Sequence, residues 1–298
     1  KAKPILLLAH IDVVEAKRSD WTRDPFVMVE EDGKFWGRGV ADDKAQAAIY
    51  TDAMIRLKGE PRLKRTVKLA LTCGEETSGA FNGAQWLADN KRDLIDAEFG
   101  LNEGGGGRIT AEGKRDILVL QVGEKQYQDY MFVATNPGGH SSRPRPDNAI
   151  YELAHALERV EGYSFPVHLN DTTRAFFTVA ATTAKPEMAT AIKTLLANPQ
   201  DAAASAAVST DLTYNSMLRT TCVATQVDAG HAQNALPQHA AANVNCRIAP
   251  GETVESTLAA LQKLAGDKVT VTAKSRRNKT AIQPPMSANV VGPITELA

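Results

Sequence analysis

Unbroken apolar runs of strand length, separated by stretches of helical period, organise residues 1–123. "PILLLAHID" (4–12) is apolar for the length of a buried strand, and "TVKLALTC" (66–73) repeats the pattern. Between them "KAQAAIYTDAMIRLKG" (44–59) spaces its apolar residues three and four apart and stops on Gly59, which predicts a helix with its C-terminal signal. "GAFNGAQWLADNKRDL" (79–94) predicts a second helix and "AEFGLNEG" (97–104) a third strand. Strands alternating with helices predict an α/β layer on a mainly parallel sheet.

After "ILVLQVGEK" the period changes. "QYQDYMFVATN" (126–136) alternates apolar and polar positions, as a half-buried antiparallel strand does. "PDNAIYELAHALERV" (146–160) predicts an amphipathic helix with Asp147 or Asn148 as its cap. "QHAAANVNCRIAP" and "KVTVTAK" predict two more strands around a helix at 251–266, and the Ala/Thr-rich stretch 165–215 predicts further helices. The expected organisation is an α/β domain at 1–123, an inserted α+β domain at 124–279, and a return to the first domain at 280–298.

Composition narrows the classes. A chain of 298 residues accommodates two domains, at about 150 residues each. A net charge of -1 gives no global field for nucleic acid or an anionic membrane, and the basic stretch "KSRRNK" (274–279) reads as a solvated turn. No apolar run approaches the ~18 residues of a membrane helix. Three cysteines, odd in number and widely spaced, argue against a disulfide framework and a cysteine zinc site, with Cys73 and Cys246 expected as buried thiols. The chain opens on a strand-like segment without methionine and ends on "VVGPITELA", so it reads as trimmed at both ends and its compartment is not legible.

Candidate chemistry sits where the strands end. His10 and Asp12 of "AHID" are spaced to share a face; Asp42 and Asp43 precede the first helix; Glu75 and Glu76 follow the second strand; Glu103 follows the third. Each has an ordinary reading as well: a hydrogen-bonded histidine, a helix cap, a solvated glutamate pair. "GRGVAD" lacks the third glycine of a dinucleotide loop, and the glycines after Glu103 lack the Lys-Ser/Thr of a phosphate loop, so they read as a tight turn. Together the strand ends deliver one histidine and several carboxylates to one sheet edge. That set suits a pair of divalent metals, three protein ligands to each. A bridging Asp42 would fill two positions, and His10, Glu76 and Glu103 one each.

"LLLAHIDVV", "WGRGVADDK", "CGEETSG", "LNEGG" and "NPGGHSSRP" occur in the order found in the co-catalytic di-zinc exopeptidases. The chain resembles that family, which includes carboxypeptidases S and G, succinyl-diaminopimelate desuccinylase and aminoacylase-type enzymes, and is most similar to the carboxypeptidase S-like branch. The resemblance implies two zinc ions, with cobalt or manganese also suited to the ligands. It makes His10 and Glu103 ligands of one metal, Glu76 a ligand of the other, and Asp42 the bridge. Asp12 would orient His10, and Glu75 would be the general base. His140 would stabilise the oxyanion, reaching the site of a partner subunit through a lid that dimerises. Asn234 and Arg247 would contact substrate, a peptide or N-acyl amino acid with a free carboxylate. A sixth ligand, a histidine late in the family's sequence, has no counterpart among the histidines here.

Overall fold

The computed structural model describes residues 2–61, 63–77, 81–274, 284 and 286–297. The chain forms two compact units, Lys1–Leu120 with Asn289–Ala298, and Gln121–Ala288.

The first unit is α/β. Strands β1 (Ile5–His10), β4 (Val67–Thr72) and β5 (Phe99–Leu101) form a parallel sheet in the order β4–β1–β5. Two short strands, β2 (Val29–Glu31) and β3 (Lys34–Trp36), make a hairpin ahead of helix α1 (Lys44–Leu57). Helices α2 (Gly83–Asn90) and α3 (Arg92–Ile95) lie between β4 and β5. A second hairpin, β6 (Gly106–Ile109) with β7 (Arg115–Val119), follows β5, and α10 (Ala288–Leu297) closes the chain. The central strand β1 is paired with β4 from Ile5↔Val67 to His10↔Thr72, but with β5 only from Ile5 to Leu7. Its Leu7, Ala9 and His10 are buried.

The second unit holds a four-stranded antiparallel sheet. Strand β8 (Gln126–Thr135) leads through a two-residue strand β9 (Gly139–His140) to helix α4 (Ala149–Glu161). Four helices follow: α5 (Asp171–Thr183), α6 (Pro186–Ala197), α7 (Ala202–Val208) and α8 (Leu212–Leu218). Then come β10 (Thr221–Ala229), the short β11 (Ala235–Leu236), β12 (His239–Ile248), α9 (Val254–Ala265) and β13 (Val269–Ala273). The sheet order β10–β12–β8–β13, with α4 and α9 as its helices, is the βαββαβ arrangement of ferredoxin-like domains.

Strict alternation along β8 and β12 explains its layering. Tyr130, Phe132 and Ala134 of β8 and Ala242, Val244 and Ile248 of β12 turn to one face, where Leu153, Ala156 and Val160 of α4 and Leu261 of α9 cover them. Each large side chain removed from water here contributes about 1.5–3 kcal/mol. The helices α5–α8 have their own core around Phe177, Ile192, Leu195, Val208 and Leu218. Asn170, Asp201 and Asp211 cap three of them by accepting the N–H groups of Thr173, Ala204 and Tyr214.

Several expectations need correction. The helix expected over 79–94 is two helices broken at Lys91, with residues 78–80 outside the described set. The glycines after Glu103 do more than turn the chain, because Gly106 and Gly107 pair with Val119 and Leu118 in the β6–β7 hairpin. Asn148 alone caps α4; the carboxylate of Asp147 is held by Arg145 and Asn136. Cys222 and Cys246 form a disulfide, and the unpaired Cys73 is exposed. The two bonded cysteines face each other on adjacent antiparallel strands, Cα to Cα 4.1 Å, the close approach of directly opposed residues. The stretch 275–279, most of the expected basic turn, lies outside the described residues. No helix of the described residues is long and apolar enough to cross a membrane.

Candidate metal centre

Parallel strands place their carboxyl ends on one edge, and open α/β sheets bind ligands there. β1 ends on His10, Glu75 and Glu76 follow β4, and Glu103 follows β5. Gly74 makes the turn after β4 possible. Its φ is +83°, and a Cβ there would lie 1.7 Å from the carbonyl oxygen of Phe81.

His10 is the centre of the cluster and only 3% exposed. Its Nδ1 lies 3.1 Å from the backbone carbonyl of Asp12. A carbonyl only accepts, so Nδ1 carries a proton and Nε2 is the nitrogen that faces the acids. Around Nε2 stand Asp42 Oδ1 at 3.1 Å, Glu103 Oε2 at 3.5 Å and Glu75 Oε2 at 4.0 Å. These carboxylates call for positive charge at Nε2, which a proton on the ring or a metal ion on the nitrogen supplies. Ligand atoms of His10, Asp42 and Glu76 fall within 4.8 Å of one another, as do those of His10, Glu75 and Glu103. Each set could hold a divalent ion, and the two share His10; they place Glu76 with His10 and Asp42, and Glu75 beside Glu103.

Asp12 braces this arrangement. Its Oδ2 accepts the N–H of Glu76 at 3.0 Å, while Oδ1 is buried without a hydrogen bond, 3.5 Å from His10 Nδ1. The carboxylate thereby ties the glutamate turn to the histidine ring.

The electrostatics record the same demand. Burial opposes a charge on His10, yet the Asp12 carbonyl and the charges of Glu103, Glu75 and Asp12 outweigh it and raise its pKa. Burial raises the pKa of Glu75, and the neighbouring carboxylates of Glu76, Asp12 and Asp42 add to that against the pull of His10. Glu103 is raised likewise, by burial and then by Glu75, Asp43 and Asp42, with His10 opposing. For Asp12, burial is outweighed by backbone N–H groups of Glu76 and Glu75 and by His10, and its pKa is lowered.

The expected residues of the second unit form two groups. β9 pairs with β11, His140 opposite Ala235, and Ser141 donates its N–H to the carbonyl of Asn234 at 3.0 Å. His140 and Asn234 are thus neighbours. The Nδ1 of His140 accepts the N–H of Ser142 at 3.2 Å, which leaves the proton on the exposed Nε2 as a donor. Arg247 lies on β12 with its guanidinium 4.7 Å over the ring of Tyr127. Sequence reasoning did not single out Tyr127, and for Asp43 it offered a helix cap, whereas the Asp43 carboxylate makes no cap bond and accepts the N–H of His10.

Comparison with known proteins gives a consistent result. The profile of Peptidase family M20/M25/M40 matches residues 6–283. The human "N-fatty-acyl-amino acid synthase/hydrolase PM20D1" (Homo sapiens) is 32% identical over 273 residues, 89% of this chain and 53% of that protein. The "Probable carboxypeptidase S-like 2" of Dictyostelium discoideum is 30% identical over 273 residues, 89% of this chain and 52% of that protein. The chain therefore spans about half the length of the curated relatives it matches. Among solved structures, the M20 family metallo-carboxypeptidase Sso-CP2 from Sulfolobus solfataricus shares the fold, with a TM-score of 0.58 at 17% identity over 99% of this chain and 70% of that one.

Proposed function

This chain belongs to peptidase family M20/M25/M40, and from that premise we propose that it is the metal- and substrate-binding part of a hydrolase of peptide or N-acyl amide bonds beside a free carboxylate. The observation that carries the reading is the His10 ring, its Nε2 facing Asp42, Glu103 and Glu75 while the Asp12 carbonyl holds the other nitrogen. In this reading His10 and Glu103 would hold one divalent ion and Glu76 the other, with Asp42 serving both; zinc would suit the donors, as cobalt and manganese would. Bound there, the metals supply Lewis acidity to the scissile carbonyl and the attacking water.

The protein's own part is proton movement and grip. Glu75, with its raised pKa, takes the proton of the attacking water and returns it to the leaving amine. Arg247, stacked on Tyr127, grips the substrate carboxylate. His140 offers Nε2–H to the oxyanion, and Asn234 beside it contacts the substrate. The relatives named as an N-fatty-acyl-amino acid synthase/hydrolase and a carboxypeptidase support the two substrate classes, N-acyl amino acids and peptides, equally.

The lid role of the second unit and dimerisation through it belong to the same proposal. β10 is an edge strand with Val223–Ala229 exposed, a row of backbone groups able to pair with a second copy.

The test compares two variants for turnover and metal content. Glu75→Gln should abolish hydrolysis and keep its metal, whereas Asp42→Asn should lose metal. Equal metal loss in both would remove Glu75 from the role of base.

A further inference from the structure

The central strand β1 has one finished edge and one unfinished edge. Toward β4 it is paired through His10, and Ile11 continues by donating its N–H to the carbonyl of Thr72 at 2.8 Å. Toward β5 the pairing stops at Leu7. Backbone groups alternate sides along a strand, so with Ile11 facing β4, the carbonyl of Leu8 and the N–H of His10 face the side where β5 is missing. Both are satisfied from one neighbouring segment. Asp43 Oδ2 accepts the His10 N–H at 3.3 Å, and Gln46 Nε2 donates to the Leu8 carbonyl at 3.3 Å.

Asp43 occupies the N-cap position of α1, where an aspartate ordinarily accepts from its own helix. Here it makes no such bond, and its side chain, on a residue 4% exposed, is committed to His10 instead. Its neighbour Asp42 meets the ring of the same histidine at 3.1 Å. Two adjacent carboxylates thus hold one residue, by its ring and by its backbone.

We propose that Asp43 and Gln46 are positioning residues: they replace the missing strand on β1 and so fix the spacing between His10 and Asp42 on which metal binding depends. This rests on the proposed metal centre. Neither residue touches metal or substrate.

The test is a Co2+ titration of the full chain stripped of metal, followed by visible absorbance and normalised to folded protein, with melting of the metal-free protein alongside. Asp43→Leu removes the acceptor at similar size and should weaken Co2+ binding at least about tenfold, the effect of losing a group that orients a ligand. Asp43→Asn keeps an acceptor and should recover most of that affinity. Gln46→Met, which retains the His10 bond, should fold and show a smaller loss of the same kind, so the inference stands or falls even if Asp43→Leu does not fold. A merely structural role would lower the metal-free melting temperature and leave the Co2+ affinity of folded protein unchanged; that result overturns the inference. So does Asp43→Asn binding as poorly as Asp43→Leu, since charge and not position would then be at work. If the wild-type chain takes up Co2+ no better than Asp42→Asn, the metal centre itself is wrong.

Discussion

The protonation of His10 follows from a single contact. With Nδ1 donating to the Asp12 carbonyl, Nε2 is the nitrogen left to face the acids, and in the proposed reading that is where a divalent ion is held. Arg247 can be tested in the same way. Its guanidinium has an aromatic ring beneath it. If it grips the substrate carboxylate, Arg247→Ala should lose about 2 kcal/mol of transition-state binding, roughly thirtyfold in kcat/KM. The loss should vanish for a substrate whose carboxylate is amidated. Arg247→Lys should not restore it, since an ammonium neither stacks nor forks. An equal loss on both substrates would mean that Arg247 serves the sheet alone.

Elements carry a different kind of information. Lys125, just before β8, donates to the carbonyls of Ser216 and Arg219 and to Thr221 Oγ1, fastening the strand to the end of α8 and the start of β10. Burial, with Arg247 nearby and Glu252 opposing, lowers its pKa from 10.5 to about 8. The sign follows directly. Between about pH 8 and 10.5 the unfolded chain holds a proton that the folded chain has released, so stability rises with pH across that window; below it both states are charged and the burial cost is felt in full. The denaturation midpoint of the wild type should therefore climb relative to Lys125→Met from pH 8 to 10, and parallel curves would refute the shift. Elements also explain what could be read in advance. Buried runs such as Ile5–His10 and the alternation of Gln126–Thr135 are local patterns, and they brought the strand ends, hence His10, Glu75, Glu76 and Glu103, into view. The disulfide was hidden because Cys222 and Cys246 meet only through the register of β10 on β12, which contains an irregularity between Ala224 and Gln226. The bond from His10 to Asp43 was hidden because nothing local announces that β5 stops short of His10.

At the scale of the molecule, the disulfide and the proposed dimer can each be tested. Cys222–Cys246 joins residues 24 apart in sequence, and reduction should lower the stability of the second unit by about 2–4 kcal/mol, seen as a drop in Tm with dithiothreitol that Cys222→Ala reproduces. If His140 serves a partner's site, Glu75→Gln and His140→Ala subunits, each inactive alone, should regain roughly a quarter of wild-type activity when mixed and allowed to exchange, because half the dimers are hybrids with one intact site. No recovery in proven hybrids would place His140 in its own subunit's site or outside catalysis. The second unit has one more property. Its first long strand, β8, and its last, β13, are antiparallel neighbours, with Ala273 opposite Tyr130 and Lys274 bonded to the carbonyl of Asp129. The first and last long strands of this sheet thus lie side by side, as the two ends of a drawstring emerge at one opening. A sheet built this way can be inserted into a host chain without a wide gap to bridge.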